Sequence, residues 1–181
     1  MKLTNEDRSL FFRLWFPLLR YCSATYDLHV DDLMTSSGGF VLTAAKDVAD
    51  AIWSDVSVID RYISQQPDMN DEERAIVTGW KRVIPGRFVI ERHLRGGSIF
   101  ISLDSDNRVY LVKGLTDSFQ EMFEGQPKPI LVSTSLLPFK GSIITDGLFK
   151  RSRMIIGPKY ARGFKEIYMA AKREGRIEKT I

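Results

Sequence analysis

Two histidines, one cysteine and a basic C-terminal stretch are where this sequence could do chemistry. His29 stands beside Asp31 and Asp32, a set that could grip a metal only weakly. A structural zinc site needs four Cys or His ligands in close pairs, which this chain cannot supply. His93 follows Glu91 by two residues on an alternating stretch, and the two would be the acid–base pair of an enzyme with an unrecognised site. Cys22 falls on the apolar stripe of a helix, which makes it a buried small hydrophobe and not a reactive thiolate. Asp104-Ser105-Asp106-Asn107 begins like a calcium loop, but Arg108 and Val109 occupy the places of a ligand and an obligatory glycine. Gly-x-Ser-x-Gly, Ser-x-x-Lys and His-Glu-x-x-His do not occur. Gly38-Gly39 and Gly96-Gly97 lack the spacing of a phosphate cradle. The expectation is a chain with no catalytic residue, no metal and no cofactor.

One cluster stands out. Lys150, Arg151 and Arg153 close the last strand, and Lys159, Arg162 and Lys165 open the last helix. Helical spacing of i, i+3 and i+6 spreads the latter three along one broad side. Residues 140–181 hold eleven basic and four acidic residues, a net of +7 in a chain whose total is +3. The six cations could form one surface for an anionic partner, nucleic acid included, since cation–phosphate contacts release counterions.

These side chains depend on a run of short strands over 85–156. Arg87 to Leu94 alternates, with Phe88, Ile90 and Leu94 on one face and Val89, Glu91 and His93 on the other. Gly96-Gly97 predicts a tight reversal into Ser98–Leu103, and Asp104–Asn107 a turn into Arg108–Lys113. Asp117 can cap a short helix over 118–124 that buries Phe119, Met122 and Phe123. Ile130–Leu137 is a further strand, and Asp146-Gly147 is the strongest two-residue hairpin signal in the chain. Strands this short and numerous favour a small antiparallel barrel or a strongly twisted sheet, because open edges invite mispairing.

Helices precede the run. Thr4 can cap a first helix whose stripe is Leu10, Phe11, Leu14, Trp15, Leu18 and Cys22, with Pro17 expected to kink or end it. Thr43 and Ser54 can cap a second and a third. Asn70-Asp71-Glu72-Glu73 is a capping-box pattern opening a fourth, with Ile76, Val77 and Trp80 inward. Pro85-Gly86 stops it. After the strands, Gly157-Pro158 starts a final helix with Tyr160, Phe164, Ile167, Tyr168 and Ala171 inward, and Gly175 ends it. The last six residues are expected to fray.

The pattern Leu136-Leu137-Pro138-Phe139-Lys140-Gly141-Ser142-Ile143-Ile144-Thr145-Asp146-Gly147-Leu148, followed by Tyr168-Met169-Ala170-Ala171-Lys172, is similar to uncharacterised bacterial proteins, mainly from Gram-positive species. In these a helical region precedes a small β domain, and some carry a cysteine-rich tail that has no counterpart here. The resemblance implies that architecture and carries no activity.

The expected fold is α+β: a helical region over 1–84, then a small β domain with a C-terminal helix over 85–181, the helices shielding the strands. A single cysteine and the absence of an apolar leader suit a reducing, cytoplasmic setting without membrane attachment. The expected function is non-enzymatic binding of a macromolecule, a protein partner first. Nucleic acid at the basic C-terminal surface and an enzyme with an unrecognised site are the alternatives.

Overall fold

The computed structural model describes residues 1–28, 42–104, 106–151 and 156–181. His29, Asp31, Asp32, Gly38-Gly39, Ser105 and Arg153 lie outside the described residues, with the expectations placed on them. The fold is mixed α+β, and no helix of the described residues is long and apolar enough to cross a membrane. The chain divides into a helical unit, Asn5–Val83, and a sheet unit made of Met1–Thr4 and Ile84–Ile181.

In the helical unit, α1 (Asn5–Thr25), α2 (Leu42–Ser54), α3 (Ser57–Ser64) and α4 (Asp71–Gly79) follow one another, and a 3-10 turn (Trp80–Arg82) closes it. The apolar stripe of α1 is buried as its period demands, with Phe11, Leu14, Trp15, Leu18 and Cys22 at most 4% exposed. Trp15 lies flat on Trp53 of α2 at 5.3 Å and meets Trp80 edge-on at 5.6 Å. Offset and edge-on aromatic pairs of this kind add about 0.5–1.5 kcal/mol each beyond their burial. The helix does not end at Pro17 and continues to Thr25. Proline removes one backbone donor there, and the buried stripe outweighs that loss. The expected box at the start of α4 is formed: Asn70 Oδ1 accepts from Glu73 N at 2.9 Å and Glu73 Oε2 accepts from Asn70 N at 3.3 Å. Ser54 is not the cap of α3. It ends α2, bonding back to Asp50 O, and Asp55 takes the Ser57 amide instead.

The sheet unit contains β1 (Ile84–Leu94), β2 (Gly97–Ser102), β3 (Val109–Val112), a one-turn α5 (Phe119–Met122), β4 (Ile130–Phe139), β5 (Ser142–Thr145), β6 (Lys150–Arg151), α6 (Pro158–Arg173) and β7 (Ile177–Glu178). Strand order is β1-β2-β3-β5-β4-β6, and β1 also pairs with β4 from Ile84↔Leu136 to Ile90↔Ile130. Most ladders are antiparallel as expected, but β3 pairs in parallel with both β5 and β7. Phe88, Ile90, Phe100, Tyr110, Val112, Phe119 and Phe123 form the core on one side of the sheet. Ile99, Ile101 and Val109 line the other side and meet Tyr168 and Ala171 of α6. Because both sides are covered, every residue of β2 is buried, and its sequence reads as an apolar run and not as an alternation.

Several expectations are corrected by this topology. Pro85 and Gly86 do not precede the strands; they lie within β1. The β1–β2 reversal uses Arg95-Gly96, and Gly97 opens β2 opposite Leu94 with φ 151°. A side chain on Gly97 would meet Val112 O at 2.6 Å. Asp146-Gly147 is not a hairpin: β5 and β6 run the same way along β4, at Leu136↔Thr145 and Ser133↔Lys150. Asp146 is buried, and its Oδ1 accepts from the Leu148 amide at 3.0 Å. This local Asx bond satisfies the backbone across an interruption in one strand. The reversal is Lys140-Gly141, with φ of 46° and 69°, between Phe139 and its partner Ser142. Two successive positive φ values are what a twist-matched hairpin demands. Ser118, not Asp117, caps α5, and Met122 is 38% exposed. The tail expected to fray supplies β7, and Ile181 packs against the sheet's core.

Candidate functional site

Everything that places the basic residues follows from how α6 is fixed. Pro158 sits in its first turn, where a missing N–H costs nothing. At the other end Gly175, with φ 67°, lets Arg176 N reach Ala171 O at 2.8 Å while Gly175 N reaches Lys172 O at 3.4 Å. That pair of bonds is a Schellman stop, which satisfies the last carbonyls and turns the chain into β7. The inner side of α6, with Phe164, Ile167, Tyr168 and Ala171, lies on the apolar side of β2 and β3, whereas Tyr160, expected inward, is 71% exposed in the first turn. A clamp from β1 adds to this: the Arg92 guanidinium stands over the Tyr168 ring at 4.3 Å. Glu91 holds that guanidinium through Nη2 at 2.9 Å. A cation on a ring face is worth about 0.5–2 kcal/mol.

This inward packing sends the cations outward. Lys159, Arg162, Lys165, Lys172 and Arg173 are exposed, and at 100° per residue they span an arc of roughly 140°. Arg173 has Glu174 at 3.7 Å. Lys159, Arg162, Lys165 and Lys172 have no carboxylate within salt-bridge distance among the described residues. Several other cations of the unit are paired: Arg92 with Glu91, Arg108 with both oxygens of Glu178 at 2.7 Å, and Arg176 with Glu174. Met169, 47% exposed, and the exposed carboxylate Glu166 lie within the arc.

Three of the six expected cations, Lys159, Arg162 and Lys165, thus share one side of α6. Lys150 and Arg151 belong to β6, whose partner is β4, whereas α6 packs on β1 and β2. Lys172 was legible as outward-facing, but its place beside Lys165 follows only from the seven-residue helical repeat. The part played by Arg92 had no signal in the sequence, because it depends on a bulge. Register slips by one residue between Ile90↔Phe100 and Arg92↔Ile99. The extra residue lets the neighbours Glu91 and Arg92 join in one ion pair.

The same slip separates Glu91 from His93. His93 is opposite Ser98, and its Nδ1 lies 2.8 Å from Ser98 Oγ. Its Nε2 is buried with no hydrogen-bond partner among the described residues. Burial holds the His93 pKa below its ordinary value, and the positive charges of Lys128 and the N-terminal amine push the same way. A hollow of about 460 Å³ opens beside α5, lined by Glu121, Phe123, Glu124 and Lys128 among others, and includes neither His93 nor Glu91. Cys22 is fully buried, and burial pushes its thiol up to about 12, so it is inert as expected. Among the described residues no group of three or more His, Cys, Asp or Glu is placed to hold a metal ion.

In comparisons with known proteins, the chain matches no protein family, no curated protein and no solved structure.

Proposed function

We propose that this chain is a non-enzymatic binding protein that holds nucleic acid against the outward side of α6, on a scaffold in which the strands form a small barrel. The barrel reading is supported by the pairing circuit: β1 to β2, β2 to β3, β3 to β5, β5 to β4, and β4 back to β1. Five-stranded barrels commonly host oligonucleotides. The bulge at Glu91 supplies the bend that lets one strand serve two neighbours. Fold alone does not assign function. The observation that carries the reading is the set Lys159, Arg162, Lys165 and Lys172, exposed on one side of α6 with no carboxylate within salt-bridge distance among the described residues, against a single carboxylate, Glu166, on that side. Phosphates are their natural counter-charge. A cytoplasmic setting belongs to the same proposal.

The test is fluorescence anisotropy with a labelled oligonucleotide at about 100 mM salt. Replacing Lys159, Arg162 and Lys165 by Glu should weaken binding by about a hundredfold or more, since three counterion-releasing contacts become repulsive. Unchanged affinity in a folded variant would remove the reading.

A protein partner is the second reading. It is favoured by Met1, Leu94 and Met122, which are 54%, 37% and 38% exposed and all belong to the sheet unit. Exposed apolar side chains mark docking surfaces where they form a contiguous patch. A second copy is the version open to direct measurement: light scattering should give a mass that rises with concentration, and a constant monomer mass removes it.

A further inference from the structure

Resting on the nucleic-acid reading above, we infer that the partner of α6 is the phosphate backbone of a double helix, gripped without reading its base sequence. Proteins that hold single strands combine a basic groove with aromatic faces on which bases stack. On small barrels of this kind that groove crosses the outer side of the second and third strands. Here that side is apolar, made of Ile99, Ile101, Val109 and Leu111, and it is filled by Phe164, Ile167, Tyr168 and Ala171. The stacking surface is therefore closed by the inner side of the helix that carries the cations.

The outward side has the opposite shape. It is the convex surface of a 16-residue helix, about 24 Å long at 1.5 Å per residue. No aromatic ring lies within its basic arc. Tyr160, the exposed ring of α6, falls on the other side of the helix by its 100° steps. A base edge is read by Asn or Gln at adenine, by Arg or Lys at guanine and by a carboxylate at cytosine, with the two-pronged Arg fork the most geometrically exacting of the cations. The outward side holds no Asn or Gln and one carboxylate, Glu166, and three of its four unpaired cations are lysines, which act as point charges without a preferred geometry. The spacing fits two strands of phosphate. Lys159, Arg162 and Lys165 form one group, and Lys172 lies ten residues beyond Arg162, about 15 Å along the axis. A major groove is about 12 Å wide between its phosphate walls. Met169 stands between the two groups and faces the open groove.

The experiment uses the full chain with two 20-base-pair duplexes of unrelated sequence and with their separated strands, from 50 to 200 mM salt. The expected result is duplex binding at least tenfold tighter than single-strand binding, with the two duplexes within about twofold of each other. Four phosphate contacts predict a slope of log K against log salt near −3.6, and Lys172→Ala should bring it to about −2.7. Single strands bound as tightly as duplex, or a tenfold preference between duplexes, would overturn the inference while leaving the nucleic-acid reading standing. No binding to either form at 50 mM salt would end both. Binding to vesicles containing phosphatidylserine, with none to duplex, would also overturn it and assign the cations to a lipid surface.

Discussion

In the helical unit, Trp15 of α1 lies on Trp53 of α2 and against Trp80 at the end of α4, joining helices that follow one another in the chain. In the sheet unit, β1 takes one partner from the next strand and the other from β4, with Ile84 opposite Leu136. The tail pairs its Ile177 with Val109. The helical unit is assembled from elements that each announce themselves; the sheet unit is assembled from agreements between distant segments. Long-range pairings of that kind carry a larger loop-closure cost before any contact repays it. The sheet unit should therefore be the more sensitive to a change at a single crossing point.

Gly114 is the sharpest such point. The N-terminal segment bonds to it twice, through Leu3 N at 2.9 Å and Met1 O at 3.2 Å. A Cβ there would lie 1.9 Å from Asp117 O. Gly114→Ala should cost about 3 kcal/mol or more in a denaturant titration, because only backbone can move aside. Gly163→Ala is the contrast: it is the same substitution on α6 with nothing within 4 Å. It should stabilise the chain by about 0.5–1 kcal/mol, since alanine loses less entropy in a helix. Equal effects at the two positions would contradict the packing described.

A smaller effect is expected in the helical unit. Asn70→Ala removes one half of the box that starts α4 and should cost about 1 kcal/mol. A loss several times larger would mean that this unit depends on single points as much as the sheet does.

The smallest effect concerns pH. His93 has a folded pKa below its unfolded value of 6.5, so protonation favours the unfolded chain. Its contribution to stability is complete above 6.5 and is lost as pH falls through that value. Between pH 7.5 and 5.5 the wild-type chain should lose stability while His93→Gln stays flatter. A parallel decline in both would show that the Ser98 side of the sheet does not hold the imidazole neutral.

The same contrast explains what could be read from the residues alone. The stripe of α1, the box at Asn70 and Glu73, and the burial of Cys22 all follow from spacing within one helix, where neighbours in sequence are neighbours in space. Asp146-Gly147 misled because its turn chemistry is real but is used inside a strand, with the carboxylate bonded to Leu148 N. Lys140-Gly141 was hidden because lysine rarely takes positive φ. The bulge at Glu91 shifts a face by one residue, and no local pattern reveals which residue the opposite strand will skip. For the candidate site, the outward cations of α6 were legible from period alone. That its inner side closes β2 and β3 depended on pairings the sequence does not display.

The most direct test is a lysine-acetylation footprint of the full chain, alone and saturated with duplex. Lys159, Lys165 and Lys172 should lose reactivity in the complex, while Lys113, bonded to Ser142 at 2.8 Å, stays unchanged. A complex in which those three α6 lysines react as fast as in the free protein would contradict the account.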